Sequence, residues 1–378
     1  MLAKMYLTNF LSFHERTEFD FTSSKYTILS ETNVAENGLL KGALVIGANA
    51  SGKSNALRGL KFIIDLIKGE GVTLELYRCN FAKEPVTVVE YEFIFENDKL
   101  NYFISYDIKD RNLTENLKIN GKEVLNRESN HGEVRLGKNS VERDDLDRDT
   151  LFLRTASFDS GRFPQEPVLR KLMDYLLNSY YIDEYNSSAY LGKSIMKYAE
   201  ENGVDKINRY LEEFNYNFFV EYGEKSQGEG LSISVGSGQK SIFFKRNSFP
   251  IPNAFIMESQ GNQVFSDMLP QMINVIEHPG MLVIDEFGNS LHNKLAEKIV
   301  RFFMEKSYTS QLFVTSHDTN LISNSVFRPD QINLIFFADS KGSKVKRVSI
   351  YKPREAQNLE KMYLGGMFEG LPSYDEKI

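Results

Sequence analysis

Ala43-Leu-Val-Ile-Gly-Ala-Asn-Ala-Ser-Gly-Lys-Ser54 joins a four-residue apolar run, a glycine-bounded turn and the first residue of a periodic segment. The run Ala43-Leu-Val-Ile46 has the length of a buried strand, and Gly47 ends it. Beyond the turn, Leu57, Leu60, Ile64 and Ile67 recur at helical spacing, which predicts a helix from Ser54 to Ile67 with one apolar face. Gly47 to Ser54 also fit G-x-x-x-x-G-K-S/T in the strand, turn and helix context that this pattern requires. In such a turn the glycines let backbone N–H groups close around phosphates at a helix N-terminus. Lys53 then neutralises the outer phosphates and Ser54 offers a hydroxyl to Mg²⁺. A chance glycine turn would not bring both flanking elements with it.

A second apolar run, Met281-Leu-Val-Ile-Asp-Glu286, delivers two adjacent carboxylates at a strand's C-terminal end, where ligands gather in open α/β sheets. Asp285 suits a Mg²⁺ ligand and Glu286 suits a general base that polarises an attacking water. Alone, such a pair would serve equally as a helix cap. The phosphate loop upstream favours the catalytic reading. Tyr102-Phe-Ile-Ser-Tyr-Asp107 also ends in a carboxylate, but it lacks a following Glu, sits among hairpins and reads as ordinary sheet.

Around these two runs the chain changes character several times. Residues 2 to 29 read as extended structure closing in Tyr26-Thr-Ile-Leu-Ser. Residues 86 to 109 read as paired strands, with a further hairpin signal at Asn120-Gly121. Residues 165 to 215 show helical spacing in Val168 to Leu177 and again in Ile207 to Phe214, without the sustained heptads of a long coiled coil. Strand-like pieces return from 217 to 250. From 264 the order helix, strand, helix, strand Leu312-Phe-Val-Thr315, helix, strand Leu334-Ile-Phe-Phe337 implies a mainly parallel sheet with crossover helices.

Composition bounds the rest. The chain has 378 residues, 45 Lys and Arg against 52 Asp and Glu, and a net charge of −7, which argues against a uniformly basic nucleic-acid-coating protein. One cysteine, Cys79, excludes an intrachain disulfide, and five scattered histidines show no zinc spacing. No apolar run approaches the roughly 20 residues that cross a bilayer, so no membrane contact and a cytoplasmic location are expected. Glu142-Arg-Asp-Asp-Leu-Asp-Arg-Asp149 has the look of an acidic metal cluster, but its mixed signs read as a solvated loop. Lys341, Lys344, Lys346, Arg347, Lys352 and Arg354 form a basic strip that suits either nucleic acid or a lysine-defended sheet edge.

The phosphate loop and the carboxylate strand lie roughly 230 residues apart, far more than in small phosphate-loop switches. With Phe10-Leu-Ser-Phe13 upstream, Ile284-Asp-Glu-Phe-Gly-Asn-Ser-Leu-His292 and Val314-Thr-Ser-His317, the layout resembles the ABC/SMC-type ATPases. Within them it looks most like the stand-alone AAA15/AAA21-type ATP-binding proteins, relatives of the OLD-family ATPase module. The resemblance implies an α/β P-loop NTPase of ABC/SMC type, with a mixed sheet, an N-terminal antiparallel lobe and a helical insert. It divides the chain into a first half of the ATPase head at 1–160, the insert at 161–215 and a second half at 216–378.

The resemblance implies ATP and Mg²⁺ as ligands. Gly47, Asn49, Ser51, Gly52, Lys53, Ser54 and Asn55 would hold the nucleotide, Ser54 and Asp285 the metal, and Glu286, His317 and Lys53 would be catalytic, with His317 sensing the γ-phosphate. Glu258-Ser-Gln-Gly-Asn-Gln263 occupies the place of the family signature E-S-x-G-T, with Asn262 where Thr is usual. Its Ser259 and Gly261 would complete the site of an opposite subunit, and Asn289-Ser-Leu-His292 would cross the dimer seam. Asn80 and Phe81 stand as candidates for the Q-loop, and an aromatic such as Phe13 reads as core as readily as an adenine contact.

By this resemblance the protein would be an ATP-hydrolysing homodimer or higher homo-oligomer in bacterial defence against phage, acting on a separate effector such as a nuclease. Nucleic acid would meet it through Lys344, Lys346 and Arg347. An OLD-type nuclease would need a Toprim domain, yet fewer than about 70 residues follow His317, below ordinary domain size. A transporter subunit is disfavoured by the insert and the altered signature. The alternative kept open is an SMC-like DNA-repair or chromosome-maintenance ATPase that binds DNA directly, which the missing long coiled coil disfavours.

Overall fold

The computed structural model describes residues 1–136, 139–159, 166–183, 192–227, 232–234, 236, 238–247, 251–338 and 341–371. Strand Gly42–Gly47 lies inside a six-stranded sheet ordered Tyr180–Asp183, Met281–Asp285, Gln311–Thr315, Gly42–Gly47, Ile332–Phe337, Ser343–Arg347. The first five strands are parallel and the last returns antiparallel. Such a sheet is covered on both faces, which is why its central strands are unbroken apolar runs.

Strand alternation divides those runs between two cores. Ala43, Val45, Met281, Val283, Phe313 and Ile335 face one core, while Leu44, Ile46, Leu282, Ile284, Leu312, Val314 and Leu334 face the other. The first core encloses helix Lys53–Lys68, whose Leu57, Leu60, Ile64 and Ile67 are all buried as their spacing predicts. A second sheet closes over this helix. Its eight antiparallel strands run in the order Thr17–Asp20, Leu2–Thr8, Val86–Phe95, Asp98–Asp107, Asn112–Ile119, Lys122–Glu128, His131–Leu136, Asn139–Arg143. Tyr91 Oη donates to the Gly59 carbonyl of the helix at 2.6 Å, tying sheet to helix. Gln311 ties the two sheets together, donating to the carbonyls of Leu2 and Leu40 and accepting the Leu2 N–H. The second core is roofed by helices Gln260–Glu277 and Asn293–Lys306, with Lys193–Asn202 and Asp205–Glu213 beside them.

The Asn120-Gly121 hairpin forms with both residues at positive φ, as a two-residue primed turn demands. Three expectations change. The interval 161–215 contains helices Pro167–Leu177, Lys193–Asn202 and Asp205–Glu213, but also strand Tyr180–Asp183, which pairs with Met281–Asp285 at the sheet edge. A four-residue strand carries too little alternation to show against the helical spacing around it. Tyr26 to Ser30 is not a strand; the chain turns there into the short helix Ser30–Asn33, and the Glu355 carboxylate accepts the Thr27 N–H at 2.6 Å. Between Thr315 and Ile332 only the 3₁₀ turn Thr319–Leu321 forms. Ser323, Asn324 and Ser325 compete for backbone hydrogen bonds, and Pro329 disfavours helical geometry at Arg328.

The acidic stretch 142–149 runs from the last strand into a loop. Arg127, fully buried, pairs with the fully buried Glu115 at 3.1 Å and donates to the carbonyls of Asp147 and Thr150. Among the described residues no group of three His, Cys, Asp or Glu side chains is placed to hold a metal ion. Nor is any helix among them long and apolar enough to cross a membrane.

Candidate active site

The phosphate loop leaves the C-terminal end of strand Gly42–Gly47 and enters helix Lys53–Lys68. Both motif glycines are required by their surroundings. A Cβ on Gly47 would lie 2.1 Å from the Ile335 carbonyl oxygen in the neighbouring strand. Gly52 has φ +106°, and a Cβ there would meet the hydroxyls of Ser343 at 2.3 Å and Ser12 at 2.6 Å. Those two serines buttress the loop from outside. Ser343 Oγ donates to the Ser51 carbonyl at 2.6 Å and accepts from Ser12 Oγ at 2.8 Å, while Asn55 Nδ2 donates to Ser12 Oγ at 2.9 Å. Lys53 folds back along the loop, its Nζ donating to the carbonyls of Gly47 and Ala48, each at 3.0 Å. Burial pulls its pKa down, against the opposing pull of the Asp285 and Glu286 carboxylates.

The carboxylate pair sits two strands away in the sheet. Asp285 is 6% exposed, and its oxygens accept from Thr315 Oγ1 at 2.5 Å and Tyr181 Oη at 3.3 Å. Burial and the Asp285 charge together push the Tyr181 phenol well up, so it remains a donor. Glu286 has φ +56°, a left-handed conformation that non-glycine residues adopt at about 1–3 kcal/mol of cost and that concentrates at functional sites. Its N–H is held by Thr315 Oγ1 at 2.7 Å and its Oε2 accepts from Asn289 Nδ2 at 2.9 Å.

Asn49, Ala50, Gly52, Lys53, Ser54, Asn55, Glu286 and His317 line one open cleft of about 620 Å³. Burial lowers the His317 pKa, helped by the Lys53 charge and opposed by Asp285, which keeps the imidazole neutral and able to accept a hydrogen bond at neutral pH. The cleft thus gathers a phosphate cradle, a cation, a candidate base and a neutral imidazole. Gly47, Ser51 and Asp285 are buried and are not part of its lining.

Ser259 and Gly261 do not line this cleft. Ser259 is the exposed residue that opens helix Gln260–Glu277, and its side chain makes no capping bond. A Cβ on Gly261 would lie 2.6 Å from the Ser290 carbonyl oxygen, so the glycine lets the helix start press against the loop after Glu286. The turn is fixed by Glu258, which accepts from Arg246 at 2.8 Å, the Ser259 N–H at 3.0 Å, Asn262 at 2.9 Å and Asn253 at 3.3 Å. Burial alone would raise the Glu258 pKa; the four hydrogen bonds outweigh it and hold the value at about 2. Asn262, the departure from the signature pattern, is one of those four donors.

Other expectations find different places. His292 caps helix Asn293–Lys306, its Nδ1 accepting the Lys294 N–H. Phe13 is fully buried, edge-on to Phe19 at 5.7 Å, and is core. In the basic strip, Lys344 pairs with Glu15, Lys346 with Glu369 at 2.5 Å and Arg347 with Asp20 at 3.0 Å, so carboxylates offset the charge of all three. Thr315, Tyr181, Ser12 and Ser343 shape the site without having been singled out from the sequence. Thr315 and Ser12 do stand inside quoted motifs, Val314-Thr-Ser-His317 and Phe10-Leu-Ser-Phe13. Nothing local marks Tyr181 or Ser343.

No curated protein matches the chain. Among solved structures it is similar to an SMC head bound to the C-winged-helix domain of ScpA, at 15% identity and a TM-score of 0.51, covering 93% of this chain and 99% of that one. The SMC head domain from Thermotoga maritima is similar at 14% identity and a TM-score of 0.49, covering 92% of this chain and 98% of that one. The first of these likenesses is one of fold, that of an ABC/SMC-type ATPase head. The motifs that define the cleft fall inside the stretch 43–323, which matches the family described as "AAA domain, putative AbiEii toxin, Type IV TA system" over more than half of the chain, and to that family the protein belongs.

Proposed function

We propose that the protein is a dimeric Mg-ATP switch in which two chains close around two nucleotides and reopen on hydrolysis. One observation carries this reading: the phosphate loop, Glu286 and His317 share a cleft that Ser259 and Gly261, on the same chain, do not reach. A second copy is then required to bring the signature to the phosphates. The donor set fits the nucleotide. Among the described residues Lys53 Nζ donates to two loop carbonyls, a weaker match for an ammonium than phosphate oxygens. Ser51 Oγ is buried in the loop with no hydrogen-bond partner among the described residues. Mg²⁺, held by Ser54 and Asp285, would neutralise charge on the phosphates. Lys53 binds the β- and γ-phosphates, Glu286 takes a proton from the attacking water, Asn289 aims Glu286, and His317 donates its one ring N–H at the γ-phosphate end. Closing is driven by the higher affinity of nucleotide for the closed state.

The family description names a toxin system, which supports a role in bacterial defence against phage, with the effector, such as a nuclease, on another chain. The similar SMC head is bound to a domain of a separate protein, an arrangement in keeping with that reading. The pairing of Lys344, Lys346 and Arg347 with carboxylates weighs against direct nucleic-acid binding there. The shared-site model is tested by Ser259→Arg, which should bind ATP as a monomer yet fail to dimerise or hydrolyse it. Mixing Ser259→Arg with Lys53→Ala should restore activity through one competent composite site. ATPase activity in Ser259→Arg alone would overturn the shared site. Recovery of a recurrent effector with Glu286→Gln and ATP, from the native host, tests the defence role.

A further inference from the structure

Two phenylalanines stand half-exposed on the side of the phosphate loop away from the carboxylates. Phe81 is 49% exposed and Phe337 44% exposed, with ring centroids 5.4 Å apart and planes inclined at 64°. Single exposed apolar residues are ordinary on a protein surface. This pair differs in how firmly it is held and where.

Phe337 ends the strand next to Gly42–Gly47 and is the direct cross-strand partner of Ser343. Directly opposed residues share a sheet face, so Phe337 lies on the face from which Ser343 touches the phosphate loop at Ser51. Phe81 follows a segment bonded to the buttressing loop, through Leu11 N–H to the Tyr77 carbonyl and Cys79 N–H to the Asn9 carbonyl. Both rings are thus anchored to the elements that shape the phosphate loop. The edge-to-face inclination leaves ring surface uncovered.

Strand order supplies the direction. Glu286 and His317 follow the two strands on one side of Gly42–Gly47, and Phe337 ends the strand on the other side. At about 4.7–4.9 Å between neighbours, the carboxylate strand and the Phe337 strand lie roughly 14 Å apart across the loop. A triphosphate with its terminal group at Glu286 and His317, and its inner phosphate at the start of helix Lys53–Lys68, therefore directs its base toward Phe337. The polar Asn55 lines the cleft and donates to Ser12 Oγ, which in turn contacts Ser343, the cross-strand partner of Phe337.

We propose that Phe81 and Phe337 form the platform on which the purine base of the nucleotide packs. The proposal rests on the nucleotide-binding reading of the phosphate loop. Base stacking on an aromatic ring contributes affinity without reading hydrogen-bond edges, so the platform accepts purines with little discrimination. It takes no part in bond breaking; its role is to position the nucleotide.

The test compares two ligands, Mg-ATP and Mg-tripolyphosphate, which share phosphates but not a base. In equilibrium titrations, Phe337→Ala should weaken ATP about tenfold while changing tripolyphosphate by less than about twofold, with Phe81→Ala acting the same way more weakly. Phe337→Tyr should restore ATP affinity, because the ring remains. Unchanged ATP affinity in both alanine variants would overturn the proposal. So would equal loss of ATP and tripolyphosphate, since the rings would then serve the loop's shape alone. Lys53→Ala should lose both ligands. A wild-type protein that binds neither would instead overturn the nucleotide reading itself.

Discussion

Thr315 Oγ1 donates to Asp285 Oδ1 at 2.5 Å and, with a lone pair, accepts the Glu286 N–H at 2.7 Å. One hydroxyl from the neighbouring strand therefore fixes both the carboxylate of the first acid and the backbone of the second, whose φ of +56° needs such a tether. Thr315→Val keeps the shape but strands two buried polar groups, each worth about 1–3 kcal/mol. Denaturant unfolding should show a loss of about 2 kcal/mol, and ATP turnover should fall at least about tenfold with little change in KM. Thr315→Ser should behave like wild type. A Thr315→Val protein of normal stability and turnover would show that the hydroxyl is not the tether.

Arg127 and Glu115 have no exposed side-chain surface, and the guanidinium also binds the carbonyls of Asp147 and Thr150. Glu115 in turn accepts the Phe152 N–H at 2.6 Å and the Tyr102 hydroxyl at 2.6 Å. Breaking a buried pair from one side leaves an uncompensated charge, so Arg127→Met should destabilise the fold by about 3–5 kcal/mol. Changing Asp144, Asp145 and Asp147 together to Asn should leave stability and ATP turnover unaltered, as for a solvated loop. Loss of a divalent-metal-dependent activity in that triple variant would return the acidic stretch to the list of candidate sites.

Glu258 fixes the signature turn as a carboxylate, and its pKa of about 2 in the folded chain lies below its ordinary 4.5. A carboxyl depressed in this way contributes stability that is present above the ordinary pKa and is lost as pH falls toward the folded value. Wild type should therefore be more stable than Glu258→Gln at neutral pH, with a Tm difference that stays level down to about pH 4.5 and shrinks from there toward about pH 2. A difference that grows with acid would mean that the four donors do not stabilise the charged form.

The placement of the phosphate loop and the Asp285-Glu286 pair at strand ends was legible because everything it needs is contiguous: an apolar strand, the turn or strand end after it, and the side chains themselves. Thr315 and Tyr181 reach Asp285 only because strands Gln311–Thr315 and Tyr180–Asp183 flank Met281–Asp285, and strand order is not written in local periodicity. Charge in the basic strip could be counted, but its partners Glu15 and Asp20 lie at the opposite end of the chain and Glu369 beyond a further turn. The missing helix before Ile332 follows a different physics. There Ser, Asn and Pro preferences outweighed the expectation that parallel strands are joined by helices.

Adjacent in sequence, Asp285 and Glu286 face different surroundings, so neutralising them should fail in different ways. Asp285 is buried under the cleft and engaged by Thr315 and Tyr181, whereas Glu286 lines the cleft and is aimed by Asn289. Glu286→Gln retains an oxygen for the Asn289 amide and the same reach but cannot take a proton. ATP should bind and draw two chains together, with turnover reduced by about 10²–10⁴, the usual contribution of a general base. Asp285→Asn weakens the proposed metal site and replaces one acceptor with a donor beside Tyr181. That variant should bind Mg-ATP poorly and should not accumulate as a closed dimer. Light scattering with Mg-ATP, read alongside phosphate release, separates the two: a mass increase with slow turnover for Glu286→Gln, and neither for Asp285→Asn. If the wild type is already a stable oligomer, slowed nucleotide release becomes the readout for Glu286→Gln. Near-normal turnover in Glu286→Gln would place the base elsewhere, and His317, across the same cleft with its neutral imidazole, would be the next group to change.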